Sequence, residues 1–261
     1  MGDGAATFRT PAEAYDRHIG RYGAELAQAL IAAAGVRSGQ RVLDVGCGPG
    51  ALTRALVDVV GAAQVAAVDP SAPFAEACVQ RLPGVRVEVG AAEALPFPDD
   101  DFDAALSQLV VNFMREAEAG VREMRRVTRD GGMVAAAVWD YAGEMTILRR
   151  FWDAVVALDP AAEELDEGRS MPYCTPESLG ALWTAAGLRD VRVEPAVVGA
   201  RYEGFGDLWA PLELGVAPSG AYVASLPAPA RESLKAELRA RLGVGDEPFR
   251  LTARAWVVTG R

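Results

Sequence analysis

The most informative stretch of this 261-residue chain is Val42-Leu43-Asp44-Val45-Gly46-Cys47-Gly48-Pro49-Gly50. A short apolar run with strand character leads directly into a turn with three glycines, and a segment of helical length follows at 51–60. Glycine adopts positive φ without strain and has no Cβ, so a ligand can approach the backbone of such a turn closely. The stretch therefore predicts a strand, a ligand-binding turn and a helix in direct succession.

Strand-like and helix-like segments alternate along the rest of the chain. The further strand-like runs are 64–69, 85–89, 102–110, 133–139, 191–199 and 251–260, and the helical segments are 21–34, 51–60, 71–82, 116–128 and 175–187. Such alternation predicts βαβ units in a mostly parallel, seven-stranded Rossmann-like α/β sheet with helices on both faces. Right-handed crossovers place the ligand crevice at the carboxyl ends of the strands. Because no crossover helix directly precedes 251–260, we expect the last strand to be antiparallel.

Two long stretches, 140–174 and 201–248, do not fit the βα alternation. Both have helix-forming composition interrupted by glycine and proline, which predicts cap insertions over the crevice of a single domain that spans 1–261. Their aromatic residues indicate one of two things: a pocket for an apolar or aromatic small molecule, or simply the core of the cap. These residues are Trp152, Tyr173, Phe205, Trp209 and Tyr222.

Composition limits the classes of partner. The formal net charge of −10 and the isoelectric point near 4.8 repel phosphate backbones, which argues against a nucleic-acid substrate. The basic stretch 122–129 has helical spacing and is expected to be a solvated helix face. The start of the chain lacks the layout of a signal peptide, no apolar run approaches a membrane span, and the three cysteines lack metal-ligand spacing. We expect a cytoplasmic protein without a metal site, and the sequence leaves its oligomeric state open.

Four segments carry a family resemblance. They are VLDVGCGPG (42–50), AAVDPS (66–71), GAAEALPFPDDDFD (90–103) and RVTRDGGMV (126–134). Together they resemble the motifs of class I S-adenosylmethionine (SAM)-dependent methyltransferases, especially the bacterial small-molecule branch related to ubiquinone and menaquinone biosynthesis. The resemblance is strong over 12–140 and weaker over 175–199. It implies a SAM-binding core at 41–139, methyl transfer to O, N or C of a small molecule, and S-adenosylhomocysteine (SAH) as the product.

The resemblance also implies which residues bind the cofactor. Asp44 would lie near the SAM ammonium, Asp69 would bind the ribose hydroxyls, and Pro70 would lie against the adenine. The full predicted set is Tyr15, Arg21, Asp44, Gly46, Gly48, Gly50, Asp69, Pro70, Ala92, Glu93 and Gln108. One position departs from the family pattern, because Ala91 stands where an adenine-binding Asp is common. The neighbouring Glu93 is the candidate to compensate for it.

The N-terminal segment 1–35 resembles a helical lid that folds over the cofactor. Arg21 would then pair with the SAM carboxylate, and Tyr15 would pack on the cofactor. The alternative is a surface helix whose tyrosine packs on the core.

Three residues are candidates for catalysis. His18, the only histidine, is either a general base beside the lid or an ordinary helix-surface residue. Asp140 and Tyr141 follow the predicted fifth strand and would point into the mouth of the crevice. Trp139 would either contact an acceptor or belong to the core.

Two other classes of function stay open at this stage. One is a protein that binds SAM without transferring methyl groups. The other is a nicotinamide oxidoreductase, because Gly46-x-Gly48-x-x-Ala51 also fits a dinucleotide fingerprint. Asp44 argues against the oxidoreductase, since a carboxylate beside a pyrophosphate is unfavourable, whereas SAM carries cationic sulfonium and ammonium groups.

Overall fold

A computed structural model of the protein describes residues 17–261. Within this range, seven strands form one sheet in the order β3-β2-β1-β4-β5-β7-β6. The strands are β1 (Val42–Val45), β2 (Val65–Asp69), β3 (Arg86–Val89), β4 (Phe102–Gln108), β5 (Thr128–Trp139), β6 (Arg192–Tyr202) and β7 (Phe249–Gly260). β7 is antiparallel to both of its neighbours, as expected, while β1 to β5 are joined by parallel pairings. The Rossmann-like sheet with an antiparallel last strand is therefore confirmed.

The helices cover both faces of the sheet and one end of it. In chain order they are α1 (Gly23–Ala34), α2 (Ala51–Val60), α3 (Ala72–Arg81), α4 (Ala117–Val127), α5 (Thr146–Leu158), α6 (Glu167–Ser170), α7 (Pro176–Ala185), α8 (Phe205–Glu213), α9 (Ala217–Ser225) and α10 (Ala228–Leu242). None of the helices that the structure describes between residues 17 and 261 is long and apolar enough to cross a membrane.

Helix α1 belongs to the core of the sheet. Its apolar side chains recur at helical spacing, and Leu26, Ala27 and Leu30 are fully buried. The helix contacts β4, β5, β6 and β7 as well as α2. Gly35 ends it in the left-handed conformation, with φ of +67°. Part of the predicted N-terminal lid is thus a packed helix, and its relation to a cofactor stays a prediction.

The strand order places the crevice. β1 pairs with β2 on one side and with β4 on the other, so the direction of chain progression reverses at β1. In open α/β sheets, ligands bind outside the carboxyl ends of the strands at such a switch point. The turn after β1 lies at this position.

The start of β5 differs from the prediction. The sequence predicts a strand at 133–139, but β5 begins at Thr128. Phe102 pairs with Thr128 and Ala104 with Met133, so β5 advances five residues while β4 advances two. The glycines allow this irregularity, because Gly131 has φ of +73° and an added Cβ on Gly132 would lie 2.7 Å from the Asp103 carbonyl oxygen. The extra residues before Met133 therefore form a bulge within the strand.

The two insertions form one layer of helices. α10 packs against α5, and α9 packs against both α8 and α5. α6 lies on the segment that follows β5, because an added Cβ on Gly168 would be 3.0 Å from the Tyr141 carbonyl oxygen. This layer thus reaches the carboxyl edge of β5.

One arginine of the basic stretch 122–129 has a structural role in addition to its place on a solvated helix face. Arg126 on α4 donates to both carboxylate oxygens of Glu123, at 2.6 and 2.7 Å, and to Asp99 at 2.7 Å. It also donates to the carbonyl oxygens of Leu95 and Phe97, at 3.2 and 3.0 Å. Its guanidinium therefore fastens the loop after β3 to α4.

This network predicts unequal effects of two arginine substitutions on the same helix. Arg126→Met should lower the free energy of unfolding by about 1–3 kcal/mol, because charge-assisted hydrogen bonds to the loop are lost. The matched control is Arg122→Met, which removes only an exposed ion pair with Glu118 and should change stability by less than about 0.5 kcal/mol. Denaturant unfolding measures both, and equal effects would contradict the role given to Arg126.

Candidate functional site

The turn after β1 is built from three glycines in the left-handed region. Gly46, Gly48 and Gly50 have φ of +77°, +52° and +98°. The Gly46 and Cys47 N–H groups both donate to the Val68 carbonyl oxygen, at 2.8 and 3.0 Å, so the turn is tied to β2. Residues with a Cβ adopt such φ values only with strain, which explains why this sequence uses glycine here.

The three glycines differ in what surrounds them. An added Cβ on Gly46 would lie 2.5 Å from Val110 Cγ2, and one on Gly50 would lie 2.9 Å from Leu82 Cδ1. A Cβ on Gly48 would meet nothing within 4 Å. Gly46 and Gly50 are therefore required for packing, whereas Gly48 faces open space into which a ligand can fit.

Asp44 presents an unpaired carboxylate oxygen beside this turn. The side chain is buried in β1, and its Oδ2 accepts a hydrogen bond from Thr53 Oγ1 at 2.6 Å. Its Oδ1 is buried and has no partner among residues 17–261. Burial raises the pKa of the Asp44 carboxyl to about 7, and the nearby charge of Asp69 acts in the same direction. Such a group suits a cationic ligand and is unfavourable beside an anion.

Asp69 joins the loops that follow β1 and β2. Its Oδ2 accepts from the Gly48 N–H and its Oδ1 accepts from the Ser71 N–H, each at 2.8 Å. Burial raises the pKa of this carboxyl. Each carboxylate oxygen has a second acceptor site, so both remain able to bind a hydroxyl group. The adjacent Pro70 is exposed.

The loop after β3 lies along the N-terminus of α4. Ala92 is buried, and Glu93 Oε1 accepts from the Glu116 N–H at 3.2 Å. At the end of β4, Gln108 Nε2 donates to the Gly23 carbonyl oxygen at 3.2 Å, while its Oε1 is buried without a partner among the described residues. The structure thus brings the predicted residues of four loops to one edge of the sheet.

Comparison with known proteins agrees with this geometry. Residues 43–136 match the model of a family described as a methyltransferase domain. Residues 43–136 therefore correspond to a methyltransferase domain. The family resemblance of the sequence motifs is thereby confirmed.

Related proteins and structures show how far the similarity extends. The chain is 35% identical over 153 residues to a malonyl-[acyl-carrier protein] O-methyltransferase of Pseudescherichia vulneris, a match that covers 58% of this chain and 59% of that protein. The match thus spans about three fifths of that curated relative. The YcgJ protein of Bacillus subtilis has a similar fold, with a TM-score of 0.57, 22% identity and coverage of 90% and 96% of the two chains. The [4+2]-cyclase SpnF also has a similar fold, with a TM-score of 0.55, 19% identity and coverage of 90% and 80% of the two chains.

Arg21 has partners that the sequence did not reveal. Its Nη1 donates to the Arg201 carbonyl oxygen at 2.9 Å and to Asp207 Oδ2 at 3.0 Å. The guanidinium also lies 4.1 Å from the centre of the Tyr202 ring. Arg21 therefore fastens the N-terminal segment to β6 and α8, and its pairing with the SAM carboxylate stays a prediction. Tyr15 lies outside the described residues.

His18 is buried, so the interpretation as a helix-surface residue is wrong. It is 1% exposed, and its Nε2 has no hydrogen-bond partner in the described part of the chain. Burial lowers the pKa of the imidazole to about 4, and the positive charge of Arg21 adds to the effect. His18 is therefore neutral at pH 7, but an imidazole with so low a pKa is a poor proton acceptor, which argues against the role of general base. Its catalytic role stays a prediction.

Asp140 is held by structural contacts. Its Oδ2 accepts from Arg254 Nε and Nη2, at 2.9 and 2.6 Å, and from the Glu144 N–H at 2.8 Å. Three donors thus occupy Oδ2, so the contacts argue against the predicted catalytic role and favour one in ordering the loop after β5. Tyr141, also predicted to be catalytic, is buried with its hydroxyl 3.4 Å from Asn112 Nδ2.

Sequence reasoning missed two buried polar residues near Tyr141. Asn112 lies in the 3-10 turn Val111–Phe113 after β4, and Glu167 begins α6. Asn112 could have been found by its position, since it follows a strand end in the crevice. Glu167 gave no such indication, because a glutamate in the acidic run 163–167 is expected to face solvent.

The unusual environment of Asp44 predicts a pH-dependent stability difference. Its folded-state pKa of about 7 lies above the ordinary value of 3.8, so between these values the folded state holds a proton that the unfolded state has lost. The contribution of Asp44 to stability therefore falls as the pH rises through this window and is constant above it. Asp44→Asn removes this dependence, so its stability relative to the wild type should rise by a few kcal/mol between pH 4 and pH 8, at about 1.4 kcal/mol per pKa unit.

Denaturant unfolding at several pH values measures this difference, because the contributions of other groups cancel between the two proteins. Asp58→Asn, on the exposed face of α2, is the matched control and should follow the wild type at every pH. Parallel curves for Asp44→Asn and wild type would show that Asp44 ionises normally.

Proposed function

We propose that this protein is a SAM-dependent methyltransferase that transfers a methyl group to a small molecule and releases SAH. The proposal rests on one observation above all: the buried Asp44 carboxylate, with Oδ1 unpaired, beside the open space at Gly48. A cationic ligand that approaches the glycine turn would satisfy this oxygen. SAM carries an ammonium group and a sulfonium group, and no phosphate, and therefore fits the site.

The residues of the chain would bind and orient this cofactor. Asp44 binds the ammonium, Asp69 accepts from the ribose hydroxyls, and Gly48 lets the ligand approach the backbone. The loop with Ala92 and Glu93 contacts the adenine. Bound SAM supplies an activated methyl group on sulfur, so much of the catalysis comes from alignment and exclusion of water.

The acceptor is proposed to be a small molecule with an apolar or aromatic part, bound under the helices of the two insertions in a bacterial cytoplasm. The relatives named malonyl-[acyl-carrier protein] O-methyltransferases match 58% of this chain. Trp152 and Tyr222, whose ring centres are 5.7 Å apart, support an aromatic surface in the cap. Trp139 instead packs edge-to-face on Tyr22, which favours its role in the core.

A second candidate is a protein that binds SAM without methyl transfer. Two observations favour it: Asp140 is occupied by Arg254, and the fold is shared with a protein named as a [4+2]-cyclase. Formation of SAH in the presence of candidate acceptors separates the two functions.

Calorimetric titration of the purified protein with SAM, SAH and NADH tests the cofactor class. We expect both adenosyl ligands to bind and NADH not to bind, because the unpaired Asp44 carboxylate repels a pyrophosphate. Binding of NADH alone would overturn the proposal and leave only the fold.

Removal of the Asp69 carboxylate should weaken SAM binding. Asp69→Ala is expected to cost about 1–3 kcal/mol of binding free energy, because the ribose hydroxyls lose an acceptor and the Gly48 N–H loses its partner. Asp58→Ala is the surface control, and thermal unfolding establishes that both variants are folded. Unchanged SAM affinity in folded Asp69→Ala would refute the assignment of the ribose site.

A further inference from the structure

Side chains from three segments, four of them buried, meet at the carboxyl ends of β4 and β5. This cluster, here the β4–β5 wall, consists of Asn112, Tyr141, Glu167, Met171 and Cys174. Asn112 Nδ2 lies 3.4 Å from the Tyr141 hydroxyl and 3.7 Å from Met171 Sδ. The Met171 N–H donates to the Glu167 carbonyl oxygen at 3.0 Å. The wall therefore connects the ends of two sheet strands with α6 of the cap.

Glu167 is a buried acid without a cationic partner. It is 3% exposed, and its Oε2 accepts from Trp152 Nε1 at 2.9 Å. No lysine or arginine of the described chain forms an ion pair with it, since the nearby Arg149 binds Asp166, at 2.6 and 3.0 Å, and Asp153. Burial raises the pKa of the Glu167 carboxyl to about 7, and the charge of Asp166 adds to the effect. Buried acids are normally paired, so this one is suited to a ligand that supplies the missing charge.

Asn112 offers a second unused acceptor on the same wall. The residue is 6% exposed, and its Oδ1 is buried without a partner among residues 17–261. Because its amide nitrogen is directed at Tyr141 and Met171, the oxygen is left for another group. Buried acceptors without partners are unfavourable, so the complementary ligand brings N–H or O–H donors.

The position of Glu167 relative to β5 follows from its neighbours. An added Cβ on Gly168 would lie 3.0 Å from the Tyr141 carbonyl oxygen, which puts the start of α6 directly on the end of β5. Cys174 lies near both Asp140 and Glu167, whose charges add to burial in raising the pKa of its thiol to about 12. The start of α6 thus lies at the edge of the sheet where the glycine turn also lies.

Aromatic rings border the carboxyl. The Trp152 ring packs against Tyr222 and Phe151, with ring centres 5.7 and 5.2 Å apart. Tyr222 is only half-buried, so the ring cluster reaches towards the surface of the cap. Ring faces attract cations, and they also bind the apolar part of a ligand. An acid, an amide oxygen and aromatic rings together favour a positively charged donor.

We propose that the β4–β5 wall binds the methyl acceptor and that this acceptor is an amine with an aromatic or apolar body, its ammonium group held by Glu167 and Asn112. This inference rests on the proposed function. The ammonium gives one proton to the Glu167 carboxylate, which frees the nitrogen lone pair. The nitrogen–carbon bond to the methyl group then forms as the carbon–sulfur bond breaks, and the products are an N-methylammonium and SAH. An anionic acceptor would meet the charge of Glu167 in a protein with a net charge of −10.

Binding of matched ligands to the SAH complex tests this assignment. Benzylamine, phenethylamine and tyramine are compared with benzyl alcohol and benzoate by calorimetry on the full chain saturated with SAH. We expect the wild type to bind at least one amine about tenfold or more tightly than the alcohol and the carboxylate, as charge-assisted bonding to a buried acid implies. Bound amines should be converted to N-methyl products when SAM replaces SAH.

Two isosteric variants make the test specific. Glu167→Gln keeps an oxygen for Trp152 Nε1 but loses the charge, and it should weaken amine binding about tenfold or more while leaving SAH affinity unchanged. Glu164→Gln, an exposed position in the same acidic run, should behave as the wild type. The inference is overturned if no amine binds, if the alcohol or carboxylate binds as tightly, or if Glu167→Gln binds amines normally. Failure of the wild type to bind SAH would instead contradict the proposed function itself.

Discussion

The attachment of the glycine turn to β2 is the constraint on which the candidate site depends. Two N–H groups of the turn converge on the Val68 carbonyl oxygen, and a third binds the Asp69 carboxylate. Val110 and Leu82 leave no space for a Cβ at the first and third glycines, so the backbone path is fixed by packing as well as by hydrogen bonds. Because the turn is fixed, Asp44 and the open space at Gly48 keep one relative position. The turn also fixes where α2 begins, since Gly50 directly precedes that helix.

The sequence predicted the central half of the fold because its determinants there are local. The limits of α2 at 51–60 follow from the glycine that precedes it and the glycine that follows it, and β7 was recognised as antiparallel from the missing crossover. The start of β5 could not be predicted, since glycines at 131 and 132 suit a turn and a bulge equally well. Only pairing with β4 distinguishes them. Arg126 looked like a surface cation because its partners Asp99 and Leu95 lie in another segment.

The difference between local determinants and contacts across distant segments also separates the two halves of the candidate site. Asp44 and Asp69 are placed at strand ends by motifs that lie within 30 residues of chain, so their proximity could be predicted from the sequence alone. Arg21 meets Asp207 across 186 residues, and α6 reaches Tyr141 only after the cap has packed. Neither spacing nor residue type encodes such contacts. Burial of Glu167 is a property of the assembled cap, which is why an acidic run that should face solvent contributes a buried acid.

The proposed cofactor site and the proposed acceptor site have the same electrostatic character. Asp44 on the cofactor side and Glu167 on the cap side are each buried, each accept a single side-chain hydrogen bond, and each have a pKa raised to about 7 by burial. A dinucleotide-binding fold with a similar turn presents N–H groups to a phosphate, and such acids would repel it. Two buried carboxyls without cationic partners lower the stability of the free protein above neutral pH. A fold that keeps both is best explained by cations on both sides of the reaction: a sulfonium donor that carries an ammonium group, and an acceptor that arrives protonated and loses its proton to the acid that binds it.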